Sequence, residues 1–176
     1  MKTIRSKTGA RKLQKEYLEQ HPPSREIAFL LQDWDDPYNV GGMFRVADSV
    51  GATEMVLTGK TPTLPNPQIA VTSLGNHRRV KYRDIKSYNE AADVLKSEGY
   101  TLVAIEIADD AVPYMDFDYP SKLCFVLGNE GAGVYDSVLQ RCDAAVFIPM
   151  AGKGRSINVH VAAAVVGFHA RFGGQT

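Results

Sequence analysis

Five short apolar runs punctuate this chain, and all but the third are followed by a polar, turn-rich stretch and a segment of helical periodicity. The runs are Ile27 to Gln32, Met55 to Thr58, Thr101 to Ile107, Leu123 to Leu127 and Ala144 to Ile148. A strand that is apolar at consecutive positions has no face for solvent, so it must be covered on both sides. That condition, with strands and helices alternating, specifies an α/β domain: a mostly parallel sheet with helices on both faces.

The helical segments have recognisable ends. Asn39 to Val50 carries Val40, Met43, Phe44, Ala47 and Val50 at core spacing and meets Gly51. Residues 59–79 are rich in Pro and read as loop, with a short helix near Ile69 to Leu74. Ser87 and Glu90 form a capping box that opens a helix through Lys96. Further helices are expected near Val134 to Arg141 and from about Asn158 to Arg171, the last with Val159, Ala162, Ala163, Val166 and Phe168 toward the core. Leu13, Tyr17 and Leu18 fit a short N-terminal helix docked on the body and broken at His21-Pro22-Pro23. The expected organisation is a basic N-terminal extension, 1–25, and one domain, 26–176.

Lys and Arg number 20 and so do Asp and Glu, which seems to speak against a nucleic-acid partner. Position changes this. Seven cations against two anions leave the first 25 residues at +5 and the other 151 at −5. A second cluster, Arg78, Arg79, Lys81, Arg83 and Lys86, is offset within its span only by Asp84. Such runs read as solvated surface or as phosphate-binding patches. No apolar stretch is long enough for a membrane helix, and the basic start lacks the apolar core of a secretory signal. Cys124 and Cys142 sit in apolar surroundings and read as free thiols of a cytoplasmic protein. They show no metal-ligand spacing with the four histidines, so no metal is expected.

Ligands of open α/β sheets sit beyond the carboxyl ends of the strands. Three such ends are polar and rich in Gly: 33–45, 128–133 and 149–158. Glycine lets backbone approach a ligand and leaves N–H donors free. The familiar single motifs fail. Residues 128–133 (GNEGAG) are not a dinucleotide-binding turn, Gly152-Lys153 lacks the rest of a phosphate loop, and Asn158 breaks a nucleophile elbow around Ser156.

Together the loops are more specific. Asp36 to Arg45 (D-P-x-N-V-G-x-x-x-R), Leu127 to Gly133 (L-G-N-E-G-x-G) and Ile148 to Ala164 (I-P-M-x-G-x-x-x-S-I-N-V-x-V-A-A-A) resemble, in order, the three motifs of the SpoU/TrmH-type RNA 2′-O-ribose methyltransferases of the SPOUT superfamily. The resemblance covers roughly residues 27–170. It implies a C-terminal deep trefoil knot, a homodimer, and S-adenosylmethionine held largely by backbone near Leu127, Gly128, Gly131, Ile148, Met150 and Ile157. It also implies methyl transfer to a ribose 2′-hydroxyl, with Asn39, Arg45, Glu130, Ser156 and Asn158 as the catalytic set. Asn39 also reads as the N-cap of its helix, Glu130 as a brace for its loop, and Ser156 and Asn158 as caps of the closing helix. The third motif often has a small polar residue where this chain has His160, which is expected to pack. RNA backbone is expected at Arg78, Arg79, Lys81, Lys7, Arg11 and Lys12. The length leaves no room for a separate RNA-binding domain, so those patches are expected to select the RNA. Transfer RNA is the first choice, ribosomal RNA the second. A non-catalytic RNA-binding protein is the competing reading.

Overall fold

The computed structural model describes residues 3–173; Lys2 of the basic segment and residues 174–176 lie outside them. Seven parallel strands form one sheet: β1 (Glu26–Gln32), β2 (Glu54–Thr58), β3 (Tyr82–Ile85), β4 (Thr101–Ile105), β5 (Val112–Pro113), β6 (Lys122–Leu127) and β7 (Ala144–Phe147). The helices are α1 (Lys7–Gln20), α2 (Pro37–Val50), α3 (Pro67–Thr72), α4 (Tyr88–Ser97), α5 (Asp136–Leu139) and α6 (Val159–Phe172).

The spatial order is β3-β2-β1-β6-β4-β7-β5. From β1 the chain steps outward through β2 and β3, then crosses back to lay down β4. β6 later fills the gap between β1 and β4, and β7 enters between β4 and β5. Because every pair is parallel, β1, β4, β6 and β7 all end at the same edge, near the reversal of strand order. That edge carries the site.

Alternation along the strands divides the core. Ile27, Phe29 and Leu31 of β1 pack with Leu123, Phe125 and Leu127 of β6 under α2, α3 and α6. Ala28 and Leu30 face the other way with Cys124 and Val126, beneath α4 and α5. Burial pushes the Cys124 thiol well up, which keeps it neutral and unreactive. At the closing end, Arg171 donates from Nε to Val50 O at 2.8 Å, from Nη2 to Gly51 O at 3.0 Å, and from Nη1 to Arg25 O. Arg25 in turn donates to Tyr119 O and Ala170 O, both at 3.0 Å.

Four expectations change. Residues 82–85 are a strand, although the charges around them read as loop: β3 is an edge strand with no fully buried position. Val112–Pro113 adds a two-residue strand, too short to show a pattern. Phe168 is 41% exposed, and the inward positions of α6 are Ala163, Val166, Gly167, Ala170 and Arg171. Finally, α1 is helical but buries no residue; Tyr17 meets the body edge-on at Phe172, with ring centroids 6.1 Å apart.

Candidate active site

Pro37 fixes where α2 begins. Without an N–H, proline is at home in the first helical turn, so the residue before it becomes the cap. Asp36 fills that role, accepting from Tyr38 N at 2.8 Å. The reading of Asn39 as the cap is therefore corrected: it lies inside the first turn, 7% exposed, with its carboxamide free to face the site.

That carboxamide joins all three loops. Asn39 Nδ2 donates to Glu130 Oε1 at 3.0 Å, and Asn39 Oδ1 accepts from Asn158 Nδ2 at 2.8 Å. Glu130 also accepts from the backbone N–H of Asp35 (3.0 Å) and Asp36 (3.3 Å). Asn158 Oδ1 accepts from His160 N at 3.1 Å and so caps α6, as expected. Neither role excludes the other at Asn158 or Glu130: each braces its loop and presents a polar group to the site.

The second loop needs its glycine. A Cβ on Gly128 would lie 2.1 Å from Gly133 C and 2.2 Å from Val134 N, inside any allowed contact. The turn closes through Asn129 and Gly133, which exchange backbone hydrogen bonds of 3.0 and 2.9 Å.

Beside this ladder lies a cleft of about 820 Å³, a size that suits a nucleoside-containing ligand. All six residues expected at the cofactor, Leu127, Gly128, Gly131, Ile148, Met150 and Ile157, line it. So do Asn39, Glu130, Ser156 and Asn158. Arg45 does not. It stands exposed on α2, six residues beyond Asn39, and makes no hydrogen bond or ion pair among the described residues. The apolar walls and the backbone of a turn that excludes a Cβ at Gly128 fit S-adenosylmethionine, whose adenine needs flat apolar contact and backbone partners.

Several residues escaped the sequence reading. Asn129 is 9% exposed and ties the first two loops: Nδ2 reaches Asp33 O (2.6 Å) and Asp35 Oδ2 (3.1 Å), while Oδ1 accepts from Gly131 N and Ala132 N. Its place inside the second motif was the available signal. Glu106, beyond β4, accepts from Val134 N at 2.9 Å and lines the cleft with Arg155. Glu106 had no signal, because its strand end lacks glycine. His160 lies over α2 with Nδ1 3.3 Å from Asn39 Oδ1. Burial holds its pKa below the ordinary imidazole value; Asp36 opposes that shift and Arg45 reinforces it.

The basic cluster is divided. Arg79 forms a two-pronged pair with Asp48 at 3.1 and 3.2 Å, Arg83 bridges Glu54 and Glu98, and Lys86 pairs with Asp84. Arg78 and Lys81 are exposed and make no ion pair among the described residues. On α1, Lys12 and Lys15 reach Glu16 and Glu19 only at 3.7 and 3.6 Å, and Lys7 and Arg11 are unpaired among the described residues.

Known proteins resemble this chain in sequence and fold. A family model described as the SpoU rRNA Methylase family matches residues 26–168. The tRNA (guanosine(18)-2′-O)-methyltransferase of Thermus thermophilus is 34% identical over 169 residues, 96% of this chain and 85% of that protein. The 23S rRNA (guanosine(2553)-2′-O)-methyltransferase of Bacillus subtilis is 32% identical over 158 residues, 86% of this chain and 62% of the relative. The crystal structure of an AdoMet-bound rRNA methyltransferase from Sinorhizobium meliloti superposes with a TM-score of 0.79 at 26% identity, covering 85% of this chain and 57% of that one.

Proposed function

The chain belongs to the SpoU rRNA methylase family, and from that membership we propose that it is an S-adenosylmethionine-dependent methyltransferase acting on a ribose 2′-hydroxyl of transfer RNA. The observation that carries this reading is the ladder Asn158–Asn39–Glu130 at the mouth of the cleft. It joins the ends of three strands around one ligand-sized space and holds polar groups where two substrates would meet.

S-adenosylmethionine supplies an activated methyl on a sulfonium. The protein's work is to hold the ribose oxygen in line with it, and positioning of this kind is worth several kcal/mol of barrier. Leu127, Ile148, Met150 and Ile157 would give the cofactor apolar contact, with backbone of the Gly128–Gly133 turn supplying hydrogen bonds. Glu130 and Asn158 hold Asn39 in one orientation. Arg45 anchors a substrate phosphate through two donors and stabilises the charge that grows on the attacking oxygen. A guanidinium keeps its proton, so Arg45 orients and does not act as the base.

The same proposal includes RNA contact through α1 and the Arg78–Lys81 edge, a cytoplasmic location and a homodimer. The dimer is supported by Val161 and Phe168, which α6 leaves 42% and 41% exposed. The C-terminal trefoil knot implied by the motifs belongs to the same proposal. Labelled methyl transfer from S-adenosylmethionine into total RNA, followed by mapping of the modified nucleotide, tests the assignment. A 2′-O-methylated transfer-RNA nucleotide is expected. A ribosomal site would move the substrate to the second choice, and no incorporation into any RNA would overturn the reading.

A further inference from the structure

The surroundings of His160 fix its tautomer and place its free nitrogen over α2. The polarity of the hydrogen-bond ladder is set from its ends. The Glu130 carboxylate only accepts, so Asn39 presents Nδ2 to it and Oδ1 to the opposite side. The backbone N–H of His160 only donates, so Asn158 turns Oδ1 to it and Nδ2 toward Asn39. Asn39 Oδ1 is therefore an acceptor for both Asn158 Nδ2 and His160 Nδ1, and His160 carries its hydrogen on Nδ1. When the ring is neutral, its lone pair is on Nε2.

The ring lies flat on α2. A Cβ built on Gly42 would be 2.9 Å from Nε2, 3.0 Å from Cδ2 and 3.0 Å from Cε1. Three nearly equal distances mean that Gly42 faces the plane of the ring and not its edge, so the Nε2 lone pair points sideways. Asn39, Gly42 and Arg45 follow one another at three-residue steps along α2, each step bringing neighbours together on the helix surface. With Nδ1 at Asn39 and Nε2 over Gly42, the ring runs along α2 toward the helix's C-terminal end, the end that carries Arg45.

We propose that neutral His160 is a positioning residue of the methyltransferase: through Nδ1 it fixes the Asn39 carboxamide, and through Nε2 it offers Arg45, unpaired among the described residues, an acceptor that takes up the guanidinium once RNA brings it beside the reacting ribose. This rests on the function proposed above. Protonation leaves the contact to Asn39 intact and replaces the Nε2 lone pair with a second N–H facing a cation. The charges whose fields reach the ring are those of Asp36, the cap of α2, and Arg45 within it; Glu130 reaches it only through the Asn39 amide. Acid should therefore dislodge Arg45 without dismantling the ladder.

Two measurements test this, one without turnover. Nitrogen NMR of the His160 ring should show the Nδ1–H form and a titration midpoint below that of an ordinary imidazole side chain, rising in Arg45→Gln. An Nε2–H ring, or a midpoint unmoved by Arg45→Gln, overturns the proposal whether or not the chain methylates RNA. In turnover, His160→Ala should lower kcat by up to about 100-fold, as loss of orientation does, with KM for S-adenosylmethionine unchanged and the acid limb of the kcat profile abolished. His160→Gln, which restores an untitratable acceptor near the Nε2 position, should recover part of that loss without restoring the limb. Gly42→Ala should slow the wild type by pushing the ring away and cost nothing further in His160→Ala. An acid limb that persists in His160→Ala, or additive losses in the double variant, overturns the proposal. Absence of methyl transfer by the unaltered protein, with the ring behaving as described, would condemn only the assigned function.

Discussion

At the scale of single residues, the site depends on two kinds of exactness: space at Gly128 and geometry at Arg45. The Cβ of Gly128→Ala would be driven into backbone and not into a yielding side chain. We expect destabilisation of about 3 kcal/mol or more, toward the upper range for overpacking, together with loss of S-adenosylmethionine binding; urea unfolding and calorimetry would read both. At Arg45, a two-pronged phosphate anchor differs from a point charge. Arg45→Lys should therefore lose most of the activity that Arg45→Ala loses, and near-full activity in Arg45→Lys would exclude the orienting role. The motifs pointed to both positions; the structure supplies the reason at Gly128, where the Gly133–Val134 backbone leaves no room for a Cβ, while Arg45 stands exposed outside the cleft lining. Asn129 was harder to see. Its side chain spans between loops that are far apart in sequence, and only the folded sheet shows that Asp33, Asp35 and Gly131 are its partners.

At the scale of elements, legibility followed burial. β1, β2, β4, β6 and β7 were visible because burial on both faces demands consecutive apolar residues. β3 was hidden because it is an edge, where Arg83 and Asp84 are tolerated. The end of α2 was legible from Gly51, but its start was placed at Asn39 in place of Pro37 and the cap three residues late. Proximity to the motif drew attention to Asn39, while the fixed φ of Pro37 had already made Asp36 the cap. α1 was read as a docked helix from three apolar residues, but Leu13 is 55% exposed and Tyr17 46%. A helix that buries nothing contributes little to the fold. Removal of residues 1–21 should cost less than about 1 kcal/mol, the size of one aromatic edge contact, and leave the thermal midpoint within about 4 °C. The same deletion should weaken RNA binding, which filter binding or fluorescence anisotropy would show.

At the scale of the whole molecule, net charge conceals a polar distribution. The cations not paired on the body or on α1 are Lys7, Arg11, Arg78 and Lys81 among those proposed for RNA. Neutralising Arg78 and Lys81 should reduce the slope of log K against log salt by about 1 per lost phosphate contact. Arg79→Gln is expected to move the slope less, because its guanidinium is already held by Asp48 and Asn76. An equal loss from all three would show that the Asp48 pair opens on binding.

The hydrogen bonds that bind the three loops together also make them one mechanical unit. Glu130 belongs to the turn that would hold cofactor, and its two oxygens grip the N-terminal end of the helix that carries Arg45. Any ligand that stills one loop removes freedom from the others, so the second ligand has less disorder to suppress. S-adenosylmethionine and RNA should thus raise each other's affinity by one and the same factor, as thermodynamic reciprocity requires. Titration of each in the presence and absence of the other measures that factor, and Glu130→Ala should bring it close to one.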